Sequence, residues 1–505
     1  MRARSLMVMG TASDVGKSVV ATGLCRAFAR RGIRVAPFKS QNMSNNAAVC
    51  AGGGEIGRAQ AVQAMACGLE PSVEMNPVLL KPESGSGCQV VIRGRARFRI
   101  NAWQEHERYR AHAWPEIVRS YNSLAEAFDL IIVEGAGGAA EINLRDRDLA
   151  NWIVADLADA AVLIVGDIDK GGVFASLAGT VELLSASERR RVKGLLINKF
   201  RGDRALLEPG PALLEQRTGI PVIGALPYER NLGIPQEDSA SLETRASVSS
   251  AAAVRIGVVR FPEISNYTDF EPLESEPDVA VHYLSDPASA PKVDVLIVPG
   301  SKTTVADLKW LRGAGWEDYL VRCLRRGGFV LGICGGYQML GRRIVDRERA
   351  ESDEVETVGL GLLDIETTFA PGKITDRVTA VHLPTGLSIE GYEIHSGRIA
   401  GVTDASALFR IGSRGQSAVR EFDGAQSADG RVIGTSIHGL FDLPDFRRWF
   451  IDRVRKSLGL EPLAASDHVS STADHIAAFD RLADLLETHL DMRQIAALAG
   501  LDWNA

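Results

Sequence analysis

The feature that most constrains this chain is the run LMVMGTASDVGKSVVATGLCRAFA, residues 6–29. Four apolar residues, Leu6–Met9, lead into a glycine-bearing loop, and the loop leads into a segment where Val20, Leu24 and Phe28 recur every four residues. That spacing lays one apolar stripe along a helix. Strand, loop and helix in this order form a phosphate-binding loop, in which backbone N–H groups at a helix start face phosphate oxygens. Lys17 is then the lysine for the β- and γ-phosphates and Ser18 the hydroxyl for Mg²⁺. Thr11, Asp14 and Gly16 complete the candidate ATP site. In the usual GxxxxGK[ST] spacing the first glycine position falls on Thr11, with Gly10 one residue earlier.

Such a loop needs a buried parallel sheet behind it, and the first half of the chain supplies one. Val35–Phe38, Leu130–Val133, Ala161–Val165, Gly194–Ile197 and Val222–Leu226 are apolar runs without alternation, separated by helical patterns. Runs of that kind suit strands covered on both faces. Strand–helix alternation implies an α/β fold with a doubly wound, mostly parallel sheet. The second of these runs sits in FDLIIVEGAGG, where Glu134 ends the strand as an acidic Mg²⁺ ligand would. Asn198, after the strand in LLINKF, is a candidate for the adenine edge. Asp167 and Asp169 in VLIVGDIDKGG are carboxylates either for the metal or substrate, or for solvent.

Residues 235–253, rich in Ser and Ala, are expected to link residues 1–234 to a second α/β domain over 254–458. Val254–Val259, Val293–Val298 and Phe329–Ile333 are its buried-strand candidates, and after about residue 355 the pattern turns antiparallel or mixed. Residues 459–505 are expected to be a helical C-terminal segment. In GGFVLGICGGYQMLG a strand ends at Cys334 and a helical pattern follows, the layout of a nucleophile elbow. A helix start favours the thiolate. The N–H of Gly335 is one half of an oxyanion hole, and Gly300, at the strand end in LIVPGSK, is the candidate for the other. His438, in RVIGTSIHGLF, is the best base among 9 histidines.

Composition excludes several alternatives. The 505 residues carry 57 Lys and Arg against 64 Asp and Glu, a net charge of −7, which gives no global pull toward nucleic acid or anionic membrane. No apolar stretch approaches the roughly 18 residues of a membrane helix. The six cysteines form no Cys-x-x-Cys pair, so a reducing, cytoplasmic setting is expected and a structural zinc site is not.

ICGGYQMLG, PGSK and SIHGLF together resemble the class I (triad) glutamine amidotransferases. That resemblance implies a cysteine that attacks the glutamine carboxamide and releases ammonia through a glutamyl thioester. The usual glutamate two residues after the histidine is Leu440 here, so the orienting acid is missing or comes from elsewhere. Glu393 and His395 in GYEIHSG are neighbours to consider. The N-terminal half is similar to dethiobiotin synthetase-like enzymes, through GTxSDxGKS and VEGAGG. The second lysine of lysine-bridged ATPases is replaced by Ala12, which argues against an ATPase sandwich dimer. FKSQNMSNNA, GGGEIGRAQAVQA, MNPVLLKPES, AEINLRDRDLAN, DIDKGGVFASLAGT, NKFRGD and ISNYTDFEPL closely resemble the cobyric acid synthase family.

The resemblance implies ATP, Mg²⁺ and L-glutamine, with adenosylcobyrinic acid a,c-diamide amidated at carboxylates b, d, e and g. Gln41, Asn42, Asn45, Glu55, Arg58, Asn143, Arg145 and Asp146 are the candidate corrinoid contacts. No nucleic acid or membrane partner is expected, and a homo-oligomer is compatible with the pattern. The alternatives are the a,c-diamide synthase of the same pathway, a cell-wall precursor amidotransferase, and a P-loop switch protein without catalysis.

Overall fold

Six apolar runs of the first half make one parallel sheet in the computed structural model of the chain. The structure describes residues 2–83, 87–101, 105–229, 232–235, 252–403, 406–463 and 471–503. The strands are β1 (Arg4–Gly10), β2 (Val35–Phe38), β3 (Leu130–Glu134), β4 (Ala161–Asp167), β5 (Val192–Phe200) and β6 (Val222–Pro227). Their order in the sheet is β6-β5-β4-β1-β3-β2. Every residue of β1 from Ser5 to Gly10 is buried, because helices cover both faces. The central β1 pairs with β4 through Leu6↔Ala161 and with β3 through Leu6↔Ile132. The chain passes from β1 to β2 and β3 on one side and then to β4 on the other, so the loop after β1 opens at a topological switch point, where ligands of such sheets bind.

Between β2 and β3 the chain makes an excursion that the apolar pattern does not announce. It forms short strands at Gln41–Met43, Val78–Pro82, Gly87–Ile92 and Arg95–Asn101, and a helix, α2 (Arg58–Ala66). Helix α1 (Lys17–Ala29) precedes this excursion and packs on α2.

The second sheet contains β7 (Val254–Val259), β8 (Val279–Leu284), β9 (Val295–Val298), β10 (Phe329–Ile333), β13 (Ala425–Gln426) and β14 (Val432–Thr435). Its order is β8-β7-β9-β10-β14-β13, parallel except at β13. Between β10 and β13 lies the antiparallel region expected after residue 355. Its largest part is the hairpin of β11 (Glu366–His382) and β12 (Ser388–Ala400). The short helix α3 (Gly335–Leu340) follows β10 directly.

The linker expected at 235–253 falls mostly outside the described residues. The described residues after 470 are mainly helical, and they do not form a separate unit. Helix α4 (Ser471–His489) returns to the first domain and lies along α1. Phe479, Leu482, Ala483 and Leu486 enter the same core as Leu24 and Phe28. Arg26 pairs with Asp480 at 2.8 Å and Arg31 with Glu487 at 2.8 Å. Among the described residues, no helix is long and apolar enough to cross a membrane. All six cysteines are free.

Candidate active site

The loop after β1 has the shape its sequence predicts. Gly16 has φ +96, and a Cβ there would lie 2.1 Å from Asn198 Nδ2, so conformation and space both require glycine. Lys17 Nζ donates to the carbonyls of Ala12 (2.8 Å) and Gly137 (2.9 Å), spanning the phosphate pocket between the two glycine loops. Ser18 Oγ donates to Glu134 Oε1 at 2.8 Å, which joins the two expected metal ligands. Hydroxyl and carboxylate oxygens are the hard donors that Mg²⁺ takes alongside nucleotide phosphates, so the residues present fit that ion.

Glu134 is fully buried, and its neighbours decide its charge. Lys39 Nζ lies 2.8 Å from Oε1 and Gln63 Nε2 donates to Oε2 at 2.5 Å. Burial alone would raise its pKa, but Lys39, Gln63 and Ser18 together hold the carboxyl below its ordinary range. Lys39, Gln60 and Gln63 escaped the sequence analysis. Their signal was present in FKSQNM and GRAQAVQA, but nothing in those runs says that they converge on Glu134.

The other expected nucleotide residues divide. Asp14 lines the cavity described below, and its carbonyl accepts a hydrogen bond from Lys199 Nζ at 2.6 Å. Thr11 is outside the lining and donates its backbone N–H to Val165 O. Asn198 lines the cavity, but its Nδ2 donates to Val15 O at 2.8 Å. That bond makes the amide a brace for the phosphate loop. Asp167 and Asp169 are each paired with a cation, Lys199 at 2.8 Å and Arg201 at 2.6 Å.

A cavity of about 2830 Å³ opens from this loop and reaches the second domain. Its wall includes Lys17, Glu134, Gln41, Asn42 and Arg58 from the first domain, and Asp269 and Tyr392 from the second. Arg145 also lines it, though its guanidinium bonds Glu188 at 3.0 Å. Four expected corrinoid contacts are not in the wall. Asn143 and Asp146 are exposed on the turn before Asp148. Glu55 is fully buried and sits between Lys81 (2.7 Å) and Lys373 (2.6 Å). Lys373 belongs to β11, so Glu55 ties the domains together rather than facing a ligand. Asn45 does likewise, donating to Glu263 at 3.1 Å.

The thiol site forms where β10 meets α3. Cys334 has φ +50 and ψ −109, a left-handed backbone that a non-glycine residue adopts only under strain. This sharp turn lifts the sulfur off the strand end, as the elbow layout requires. A Cβ on Gly336 would lie 1.8 Å from Val298 O, so the helix can approach β9 only through glycine. Gly335 packs against the backbone of Ser301, the residue after Gly300. Gly300 in turn lies beside His438, since a Cβ there would meet the ring Cε1 at 3.2 Å. The structure thus brings Cys334, His438, Gly300 and Gly335 to one place.

The acid absent after His438 comes from Asp269. Its Oδ2 accepts the proton of His438 Nδ1 at 2.7 Å, and its Oδ1 accepts the N–H of Gly439 at 3.1 Å. Asp269 sits in ISNYTDFEPL, on the 3₁₀ turn Tyr267–Phe270. That turn is preceded by Asn266 with φ +51, whose Nδ2 lies 3.4 Å from His438 Nε2. Glu393 and His395 pair with each other at 3.6 Å and do not orient His438. The Tyr392 ring stacks on His438, with centroids 5.1 Å apart and planes at 12°.

These contacts set the protonation of the pair. Burial works against both charges, but Asp269 and the thiolate raise the His438 pKa. The imidazolium, in turn, brings the Cys334 thiol below its ordinary value despite burial. Thiolate and imidazolium are the forms needed for attack on a carboxamide.

The comparisons find the same two domains. Residues 6–240 match the CobQ/CobB/MinD/ParA nucleotide binding domain, and residues 255–446 match the CobB/CobQ-like glutamine amidotransferase domain. The chain is 48% identical to a cobyric acid synthase of Sorangium cellulosum (strain So ce56), across 99% of this chain and 100% of that relative. It is 46% identical to a cobyric acid synthase of Streptococcus sanguinis (strain SK36), across 97% and 98% of the two chains. A third, from Dehalococcoides mccartyi (strain CBDB1), is 44% identical across 98% and 99%. Two separate domain matches in the expected order, and relatives aligned from end to end, leave one assignment: the chain belongs to the cobyric acid synthase family.

Proposed function

We propose that this chain amidates the b, d, e and g carboxylates of adenosylcobyrinic acid a,c-diamide, using ATP and glutamine, to give adenosylcobyric acid. The observation that carries this is the single cavity whose wall runs from Lys17 and Glu134 to Asp269 and Tyr392. A large polycarboxylate held there lies against the phosphate loop, and the same wall carries Asp269 and Tyr392, the residues that contact His438. Residues 1–234 supply activation and residues 254–458 supply ammonia.

A carboxylate resists ammonia because it is anionic and lacks a leaving group. Transfer of the γ-phosphoryl group makes an acyl phosphate, which has one. Lys17 and the loop N–H groups hold the phosphates through that transfer. Ser18 and Glu134 are the residues to hold Mg²⁺, which when bound screens the phosphate charge. Gln41, Asn42, Arg58 and Arg145 are the proposed substrate contacts, while Asn143 and Asp146 would take part only if their turn moves. In the other domain the Cys334 thiolate attacks the glutamine carboxamide, and the N–H groups of Gly335 and the Gly300 loop receive the oxyanion. His438, held by Asp269, hands its proton to the departing ammonia. Water then releases glutamate from the thioester.

Mass spectrometry of the corrinoid tests this, after incubation with enzyme, MgATP and glutamine. Adenosylcobyrinic acid and its a,c-diamide are offered separately. Four amidations of the diamide, with little change to the parent acid, are expected. Two amidations of the parent acid would instead assign the earlier a,c-diamide step.

A further inference from the structure

Helix α2 touches both reaction centres. On one side Gln63 donates to Glu134 Oε2 at 2.5 Å, and Gln60 lies 3.5 Å from the same oxygen. At its first residue, Arg58 reaches across the domain boundary and donates from Nη2 to the Tyr392 hydroxyl at 2.8 Å. Tyr392 in turn donates to Asp269 Oδ1 at 3.3 Å while its ring covers His438. Asp269 Oδ2 holds His438. A continuous chain of contacts therefore runs from the proposed metal carboxylate, along the helix from Gln63 to Arg58, to the imidazole proposed to serve the thiol.

The surrounding backbone makes this link firm. Asn46 Oδ1 accepts the N–H of Tyr267, and Asn266 Oδ1 accepts the N–H of Ala47, so the turn carrying Asp269 is pinned to the segment before α2. Arg58 Nε is buried without a hydrogen-bond partner, and the guanidinium lines the cavity. A guanidinium with one edge on Tyr392 and an unused N–H beside a polyanion site is placed to respond to what fills that site.

We infer that Tyr392 and Arg58 are positioning residues for glutamine hydrolysis: Arg58 orients the Tyr392 hydroxyl, and that hydroxyl fixes Asp269, so that the first domain sets the alignment of His438. This rests on the proposed function for the identity of the acceptor, but not for the hydrolysis of glutamine itself. Neither side chain touches the thiol, so both act through the Asp269–His438 pair.

The test uses the full-length enzyme and the variant Tyr392→Phe, which keeps the stacked ring and deletes only the hydroxyl. Glutaminase kcat is expected to fall about tenfold, the loss of one hydrogen bond to a charged group, with KM for glutamine unchanged. Amidation of the a,c-diamide driven by ammonium chloride is expected to fall by much less than glutaminase kcat. Arg58→Ala is expected to lower glutaminase kcat by a similar factor, and the double variant to be no slower than the slower single variant. An unchanged glutaminase kcat in Tyr392→Phe overturns the inference. So does a matching fall in ammonia-driven amidation, or fully multiplicative losses in the double variant. A wild-type enzyme that hydrolyses glutamine but amidates nothing with ammonia would instead strike the proposed acceptor, leaving the glutaminase comparison intact.

Discussion

The two proposed reaction centres are built in opposite ways. The phosphate loop is contiguous: β1, the loop at residues 11–16 and α1 carry Gly16, Lys17 and Ser18 within one strand–loop–helix unit. The thiol site is assembled from turns far apart in sequence: Asp269, Gly300, Cys334 and His438. Local geometry can form the first almost alone, because backbone N–H groups at a helix start do most of the binding. The second exists only when β7, β9, β10 and β14 are paired in register and the 264–270 turn is docked. A contiguous site is legible and robust, whereas an assembled one depends on distant packing.

Three substitutions test that contrast. The largest effect is expected from Cys334→Ala. Glutamine-dependent amidation should fall by at least ~10³-fold, the scale seen when a nucleophile is removed, while ammonia-dependent amidation continues. Loss of both activities would mean that the two centres are not separable.

The next effect tests the acid that the sequence pattern lacked. Asp269→Asn is expected to lower glutaminase kcat/KM by about 10²–10⁴-fold, as loss of an orienting carboxylate does elsewhere. The sign of its pH effect follows from the charges. Asp269 raises the His438 pKa, and the imidazolium lowers that of Cys334. Removing the carboxylate weakens the imidazolium, so the thiol pKa rises. The acidic limb of glutaminase kcat/KM should therefore move to higher pH. An unmoved limb would transfer the orienting role to another group.

The smallest effect is on stability rather than catalysis, and it concerns the seam between the centres. Glu55→Gln leaves Lys81 and Lys373 buried without their counter-ion. A loss of about 3–5 kcal/mol in urea unfolding is expected, the range for breaking a buried pair. Burial opposes the Glu55 charge, but the two lysines hold its pKa near 2, down from 4.5. Its contribution is therefore complete above the ordinary carboxylate value and is lost as pH falls toward 2. A wild-type chain and a Glu55→Gln chain of equal stability at pH 7 would mean that the seam does not depend on this pair.

Polar side chains are harder to place from sequence than apolar strands, and Glu55 shows why. Glu55 and Arg58 lie three residues apart in the same conspicuous run, GGGEIGRAQ. One is sealed between lysines and the other lines the cavity. Nothing in spacing distinguishes them, since the distinction depends on Lys373, over 300 residues away. Asn198 makes the same point: its position at a strand end was legible, but its use as a brace for Val15 required the loop to be folded beside it.

What the sequence determined by itself was whatever repeats over short range. The buried runs that became β1 to β6, the phosphate loop, the elbow at Cys334 and the helical tail all follow from local periodicity and glycine placement. Tertiary structure alone decided which acid holds His438, which cations neutralise Glu134 and Glu55, and that α4 packs back on α1. The physical reason is range. Backbone geometry and apolar periodicity act over a few residues, while the partner of a buried charge is chosen by whichever side chain the completed fold brings within about 3 Å of it, the ordinary hydrogen-bond distance.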